Sequence, residues 1–303
     1  MERLKLKKNI PKRTKPKITL LVDLKHIAYR MRYTQGTQLT YNEVNTTIFY
    51  GTISSLLSAA KKFEVNKVVI CADIGSSDDS RRREQYPEYK MKKYSKPLTD
   101  YDLKLNELFK EEYNNLIDEF EEIGFGANYL HKYEAGDVIA LYCLQHPEEK
   151  IVILSRDEDM YQLLTENVML WSPDDKIKKT DKWFKKEYGI DCLDWNMVKA
   201  MAGCSSDGVK GIKGIGEETA LKYLHDECNP NQLKKIKDDW ETVEQCLQVV
   251  TLPHPDLQEN GYKFDFVESK INIDKFIVFC QKFGFRSFLN EINDFKQYFG
   301  GKL

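Results

Sequence analysis

Four short apolar runs stand out in the first part of the chain. Ile18-Thr-Leu-Leu-Val22 ends at Asp23, and Lys67-Val-Val-Ile-Cys-Ala72 ends at Asp73. Lys150-Ile-Val-Ile-Leu154 runs into Ser155-Arg156-Asp157-Glu158-Asp159, and Asn167-Val-Met-Leu-Trp171 stops at Ser172-Pro173. Continuous apolar runs of this length read as strands buried on both faces. Amphipathic segments at about 43–63, 102–123 and 134–145 fall between them and predict helices. The alternation predicts an α/β fold of three layers, a parallel sheet covered by helices. In such sheets ligands bind in the crevice beyond the carboxyl ends of the strands, where three of the four runs place acids. From about residue 190 strand-like runs become scarce, and 193–203, 216–226, 231–247 and 273–298 predict helices. Two parts are therefore expected, a core over 18–190 and a helical region over 191–303. Between the first two helices of the second part, Gly208-Val-Lys-Gly-Ile-Lys-Gly-Ile-Gly216 forms a glycine-rich turn. Glycines there let backbone amides approach a phosphate closely, and the helix that follows adds a favourable dipole.

The 303 residues include 46 basic and 48 acidic side chains, a net charge of -2, and this balance hides a marked asymmetry. Residues 1–17 carry eight basic residues against Glu2 alone, with Pro11 and Pro16 opposing regular structure, and read as a flexible basic arm. Arg81, Arg82, Arg83, Lys90, Lys92, Lys93 and Lys96 form a second basic block interleaved with Tyr86, Tyr89 and Tyr94. A basic run alone also describes a solvated surface, but interspersed aromatics suit a polyanion whose phosphates are neutralised while rings meet bases. No apolar run approaches the roughly 18 residues of a membrane span, so no membrane partner is expected, and the chain is expected in the cytoplasm as a monomer. The seven scattered cysteines lack CxxC spacing and read as reduced thiols. The five histidines form no zinc pattern, no GxSxG esterase context surrounds Ser155 or Ser172, and no P-loop is present.

The acids at or near the predicted strand ends, or opening the helix after Tyr133, are Asp23, Asp73, Glu134, Asp137, Asp157 and Asp159, with Asp207 in the glycine-rich connection. Any one of them has an ordinary alternative as a helix cap or ion-pair partner. Several at one sheet edge repel one another unless cations neutralise them. Oxygen ligands without histidine or thiolate partners point to Mg²⁺ or Mn²⁺, hard ions that bridge to phosphate. Metal-assisted phosphodiester hydrolysis accounts for this set best.

Leu21-Val-Asp23, Ile70-Cys-Ala-Asp73, Tyr133-Glu-Ala-Gly-Asp137, Ser155-Arg-Asp-Glu-Asp159 with Gln162-Leu-Leu, and Gly203 through Gly216 together resemble, in order and spacing, the flap endonuclease or 5′-3′ exonuclease family. Tyr86-Pro-Glu-Tyr-Lys90 and Leu-Trp-Ser-Pro173 look closest to its tailed-phage members, including the ribonuclease H-type 5′ nuclease. The resemblance implies a PIN-like nuclease core, an arch at about 80–105, and a helix-three-turn-helix that grips duplex DNA through a monovalent cation such as K⁺. It would place Asp73, Glu134, Asp157 and Asp159 around a first metal with Asp23 close by, and Asp137 and Asp207 at a second position. Lys90 would reach the scissile phosphate and, with Asp73 and Asp157, carry the catalysis. Tyr29 would stack on a nucleotide near the 5′ terminus. The DNA-binding set would be completed by Arg30, Arg81, Arg82, Arg83, Lys93, Lys210, Gly211, Gly214 and Gly216. The implied substrates are branched, flapped or 5′-ended DNA and RNA–DNA hybrid, with RNA-primer removal and replication proteins as partners, in the host cytoplasm for a phage-encoded chain.

The chain departs from the family pattern at two points. Gly136 stands where the family usually has an acid, and Cys204 replaces another in Gly203-Cys-Ser-Ser-Asp207. A thiol is a poor substitute, because Mg²⁺ prefers oxygen. The alternative expectation is thus a catalytically attenuated relative that binds branched DNA as a structural factor.

Overall fold

The computed structural model describes residues 17–32, 39–75, 79–91 and 99–300. Residues 1–16 of the expected basic arm, Lys93 and the middle of the expected arch lie outside the described residues. The chain begins with β1 (Ile18–Asp23) and α1 (Leu24–Arg32), followed by a small hairpin of β2 (Thr40–Tyr41) and β3 (Val44–Asn45). Next come α2 (Thr47–Phe63), β4 (Lys67–Cys71), α3 (Arg81–Gln85), α4 (Asp100–Ile123) and α5 (Ala135–Gln145). Then β5 (Lys150–Leu154), β6 (Val168–Trp171), β7 (Lys178–Lys179) and α6 (Asp181–Tyr188) complete the first part. The remainder is helical: α7 (Trp195–Ala202), α8 (Glu217–Leu224), α9 (Pro230–Asp238), α10 (Trp240–Val250), α11 (Pro255–Glu259), α12 (Ile273–Lys282), α13 (Arg286–Asn290) and α14 (Ile292–Tyr298).

The main sheet has the order β4-β1-β5-β6-β7. Its first four strands are parallel, as expected, whereas β7 pairs antiparallel to β6 and adds a short return strand at the edge. The strands are buried on both faces, and alternation sorts their side chains. Leu20 and Val22 of β1, with Val68, Ile70, Val152 and Leu154, face a layer built by α1, α2 and α4. Leu21, with Val69, Cys71, Ile151 and Ile153, faces α5 and the helices α7 to α10. Register places Asp23 opposite Cys71 and Val22 opposite Leu154. Asp23 at the end of β1, and Asp73 and Asp157 two and three residues beyond β4 and β5, therefore emerge along one edge.

Two of the expected helices are subdivided. The segment expected over 231–247 is two helices, the first opened by Pro230 and a capping box between Asn229 and Gln232. The segment expected over 273–298 is interrupted at Gly284, whose backbone is left-handed (φ 71°) and against which the Tyr41 ring packs so closely that a Cβ would lie 2.4 Å from Cδ2. Glycine alone accommodates both demands. The turn carries Phe288 onto Tyr50, with ring centroids 4.8 Å apart. The expected helical region over 191–303 is also divided in space: Phe276, Phe279, Phe288 and Phe295 of α12 to α14 pack into the layer of α1, α2 and α4, while α7 to α10 cover the opposite face. All seven cysteines are free, with Cys71, Cys192, Cys246 and Cys280 buried. Among the described residues no helix is long and apolar enough to cross a membrane.

Candidate active site

Asp23 closes β1 and is 7% exposed. Its Oδ2 accepts a hydrogen bond from the Ser155 hydroxyl (2.9 Å), and Ser155 Oγ in turn accepts from the Asp157 amide (3.1 Å). Ser155, which fits no nucleophile motif, thus ties two strand ends together. Asp157 caps the short 3₁₀ turn that follows, its Oδ1 accepting from the Asp159 amide at 2.9 Å. Asp73 lies two residues beyond β4 and accepts from the Ala135 amide at the start of α5 (2.5 Å). Its own amide donates to the Tyr113 hydroxyl. Glu134 is the N-cap residue of α5.

Lys90 lies in a turn after α3 with a left-handed backbone (φ 49°). Its Nζ donates to Glu134 Oε1 (2.7 Å) and lies 4.0 Å from Asp207 Oδ1. Its amide donates to the Asp207 carbonyl (2.6 Å). The turn over 86–90 is docked on the glycine-rich connection at further points. Lys210 Nζ pairs with Glu88 (2.5 Å), and the Lys210 amide donates to the Tyr86 hydroxyl (3.4 Å). A Cβ on Gly208, itself left-handed (φ 72°), would sit 2.6 Å from the Glu88 carbonyl oxygen. Two motifs far apart in sequence thus meet at Lys90 and Asp207.

The electrostatics link these groups. Burial, with the charges of Asp73 and Asp157, pushes the Asp23 carboxyl up to about 6, against His26 and the Ser155 hydrogen bond. Burial and then Asp157 and Asp207 push Asp159 up to about 7, although Lys199 and Lys90 oppose the rise. Asp207 is raised by burial and by Glu134 and Asp157, with Lys90 opposing. Glu134 goes the other way: burial disfavours its charge, but Lys90 and Arg82, with hydrogen bonds from Lys90 and Tyr89, hold it at about 2. Lys90 is raised well above the usual lysine value, because Tyr89, Glu134 and Asp207 outweigh its burial.

Among the described residues no three His, Cys, Asp or Glu side chains are gathered tightly enough to hold a metal ion as they stand. Lysines separate them instead. Lys25 pairs with Asp73 (3.2 Å), Lys90 with Glu134 (2.7 Å) and Lys199 with Asp159 (3.6 Å). Six carboxylates (Asp23, Asp73, Glu134, Asp157, Asp159, Asp207) nevertheless face these three ammonium groups. Six acids against three ammonium groups leave negative charge in excess, and burial first, with neighbouring acids second, raises Asp23 and Asp159. An all-oxygen, under-neutralised set of this kind fits a hard divalent cation. Lys25 and Lys199 are absent from the sequence expectations, because nothing in the chain's pattern points a lone helical lysine at a distant acid.

Two expected site residues are placed differently. Asp137, expected at the second metal position, is fully buried and receives the Arg82 guanidinium together with the Glu134 amide (3.0 Å) and the His254 amide (2.8 Å). Both of its oxygens are occupied by structural partners. Arg82, expected to bind DNA, is 2% exposed and spends its remaining donors on the Val249 and Thr251 carbonyls. The other expected DNA contacts vary. Tyr29 is 42% exposed and meets Phe109 edge-on. Arg30 is held by Asp174 (2.7 Å) and Ser55 (3.4 Å). Arg81 is paired with Asp256 and Glu84, and Arg83 is half-buried. In the glycine-rich connection Gly211 and Gly214 have left-handed backbones (φ 58° and 75°), and the space beside Gly216, the N-cap position of α8, is open. A Cβ on Gly136 would meet Met160 and Leu252 methyls at 3.3–3.8 Å.

The mostly parallel sheet with flanking helices, followed by a helical C-terminal region, is the PIN-like nuclease fold of flap endonucleases. The chain belongs to the 5′-3′ exonuclease family, whose N-terminal resolvase-like domain matches residues 18–189, more than half of its length. It is 28% identical over 270 residues to the 5′-3′ exonuclease of Buchnera aphidicola subsp. Schizaphis graminum, covering 86% of this chain and 88% of that protein. It is 34% identical over 207 residues to the thermostable DNA polymerase I of Thermus thermophilus. That match covers 68% of this chain and only 23% of the polymerase, so the chain spans about a quarter of such relatives. In structure it is similar to the T5 D15 protein co-crystallized with metal ions (TM-score 0.67, 20% identity, 78% of this chain and 90% of that one). It is also similar to flap endonuclease-1 from Methanococcus jannaschii (TM-score 0.60, 13% identity, 92% and 91%).

Proposed function

We propose that this chain is a divalent-metal-dependent 5′ nuclease that hydrolyses phosphodiester bonds in branched, flapped or 5′-ended DNA, with RNA–DNA hybrid as a further substrate. The observation that carries this reading is the meeting of Lys90 with Glu134 and Asp207 beside the strand-end acids Asp23, Asp73 and Asp157. Asp73, Glu134, Asp157 and Asp159 would hold Mg²⁺ or Mn²⁺, with Asp23 and Asp207 close by. The metal ions co-crystallized with the T5 D15 protein, which shares the fold, support a metal cofactor. A bound ion supplies an activated water and a charge clamp on the phosphate. Lys90, already turned toward the carboxylates, places its ammonium where charge builds on the phosphoryl oxygens. Tyr29 offers an exposed ring near α4 for base stacking. Lys210, Gly214 and Gly216, with K⁺ as the resemblance implies, would meet duplex phosphates. Arg81, Arg83 and Lys93 would add to the DNA surface, and the work would be done in the cytoplasm at replicating DNA.

The test is a labelled 5′-flap and an RNA–DNA substrate, incubated with Mg²⁺ or Mn²⁺ and with the native chain or Asp157→Ala. Metal-dependent cleavage lost in Asp157→Ala is expected. Gly136 and Cys204 favour a second reading, a binding factor with attenuated catalysis. Flap binding without cleavage in either metal, and cleavage appearing only in Cys204→Asp, would establish that reading and remove the first.

A further inference from the structure

We propose that Lys25 is an exchangeable counter-ion of this site: it neutralises Asp73 while no metal is bound, and on metal uptake it passes to a phosphate of the DNA. It is thus a substrate contact that forms only in the loaded site. This deepens the metal-dependent reading above and rests on it. Asp73 spends Oδ1 on the Ala135 amide (2.5 Å), so Oδ2 is the oxygen left for an ion, and the Lys25 ammonium stands 3.2 Å from it. A divalent ion carries twice that charge and gathers several carboxylates at once, so it displaces a single ammonium from the oxygen they compete for.

Lys25 is free to leave in a way that the other two ammonium groups of the site are not. Lys90 belongs to a turn whose amide is bonded to the Asp207 carbonyl, and the Lys199 side chain is only 15% exposed. The Lys25 side chain is 46% exposed, and Asp73 is its one ion-pair partner among the described residues. Its destination follows from α1. Lys25 lies in the first turn of that helix, directly after Leu24, and the exposed Tyr29 follows four residues on, so ammonium and ring share one helix face. A ring that stacks a base, with an ammonium one turn nearer the carboxylates, fits the base and phosphate of one nucleotide. An ion on Asp73 repels the ammonium, and phosphate is the anion that DNA brings to this edge.

Two measurements test the exchange, with melting curves showing that each variant is folded. Stopped-flow anisotropy with a fluorescent 5′-flap reads binding ahead of cleavage, over a range of salt, in EDTA and in saturating Mn²⁺. In EDTA the native chain and Lys25→Met are expected to share one slope of log Kd against log salt. In Mn²⁺ the Lys25→Met slope is expected to be shallower by about 0.7–0.9, one phosphate contact, while Lys25→Arg keeps the native value. Calorimetric titration with Mn²⁺ in the absence of DNA is expected to show Lys25→Met binding about two- to fivefold tighter, because no half-exposed ion pair has to be broken. Lys25→Gln stands in should the methionine variant fail to fold. Equal slopes in Mn²⁺, a native slope already steeper in EDTA, or an Mn²⁺ affinity unchanged or weakened in the variant each overturn this inference alone. A native chain that takes up no Mn²⁺ overturns the metal-dependent reading itself, and this inference with it.

Discussion

Arg82 and Asp137 form a buried ion pair, their side chains 3% and 0% exposed, at the point where α3 and the start of α5 meet the segment after α10. Arg82 Nη2 donates to Asp137 Oδ1 at 2.7 Å, while its Nε donates to the Val249 carbonyl at 2.8 Å and Nη2 also reaches the Thr251 carbonyl at 3.2 Å. Asp137 in turn receives the Glu134 amide. The pair therefore fixes the backbone that carries Glu134 without entering the site.

Removing one partner of such a pair leaves a buried charge uncompensated, at a cost of about 3–5 kcal/mol. Arg82→Ala and Asp137→Ala are both expected to lose that much stability in urea or thermal unfolding. The salt dependence of DNA binding by whatever fraction of Arg82→Ala remains folded should match the native slope. A stable Arg82→Ala protein with a shallower slope would show instead that this guanidinium contacts phosphate.

The same pair shows what can and cannot be read from the chain. Strand-end acids were legible because a continuous apolar run followed by an acid has one common meaning in a parallel sheet, and Asp23, Asp73 and Asp157 lie where that pattern puts them. Arg81, Arg82 and Arg83 looked alike as a basic block, yet a helix turns successive residues to different sides, and Arg82 points inward. Which of three adjacent arginines is buried depends on the partner it meets, here Asp137, more than fifty residues away. Lys25 and Lys199 were invisible for the same reason. Their importance comes from three-dimensional proximity to Asp73 and Asp159, which no local spacing encodes. The interruption at Gly284 likewise depends on Tyr41 from a distant hairpin.

Lys90 is predicted to act on the rate rather than on DNA affinity. Its ammonium is held by Glu134 and by the turn that bonds to the Asp207 carbonyl, so it is preorganised before substrate arrives. Losing one preorganised group at a developing charge typically costs about 10²–10³ in kcat. Lys90→Ala is expected to show a loss of that order in single-turnover cleavage, with little change in flap Kd. An equal loss in binding and rate would reassign Lys90 to ground-state contact.

Gly208 and Gly216 should respond unequally to a methyl group. Gly208 combines a left-handed backbone with a Cβ position 2.6 Å from the Glu88 carbonyl oxygen, whereas Gly216 has ordinary backbone and open space beside it. Gly208→Ala is expected to cost about 1–3 kcal/mol and to separate the 86–90 turn from the glycine-rich connection. Gly216→Ala should cost less, within about 1 kcal/mol, because only the poorer N-cap preference of alanine opposes it. Melting temperatures of the two variants decide this, and a Gly208→Ala chain as stable as native would mean that the two turns are not rigidly docked.

The raised carboxyls predict how the metal-free chain responds to pH. Asp159 ionises near 3.8 as an ordinary aspartate and at about 7 in the fold, and Asp23 at about 6. Between pH 4 and pH 7 the unfolded chain has released these protons while the folded chain retains them. Their contribution to stability therefore falls as pH rises through that window, and is constant above it. Glu134 behaves oppositely. Held at about 2 against an ordinary 4.5, it contributes stability above pH 4.5 that is lost as pH falls through its folded value. Asp159→Asn is thus expected to raise the metal-free melting temperature at pH 8, by roughly 2–4 °C for each kcal/mol relieved, and to leave it nearly unchanged at pH 4. Mn²⁺ should reverse the order at pH 8, because it binds only the folded carboxylates and stabilises the native chain more than Asp159→Asn. Melting curves at pH 4 and 8, with and without Mn²⁺, test both halves. An equal gain for Asp159→Asn at the two pH values would show that crowding by packing, not charge, is what the substitution relieves.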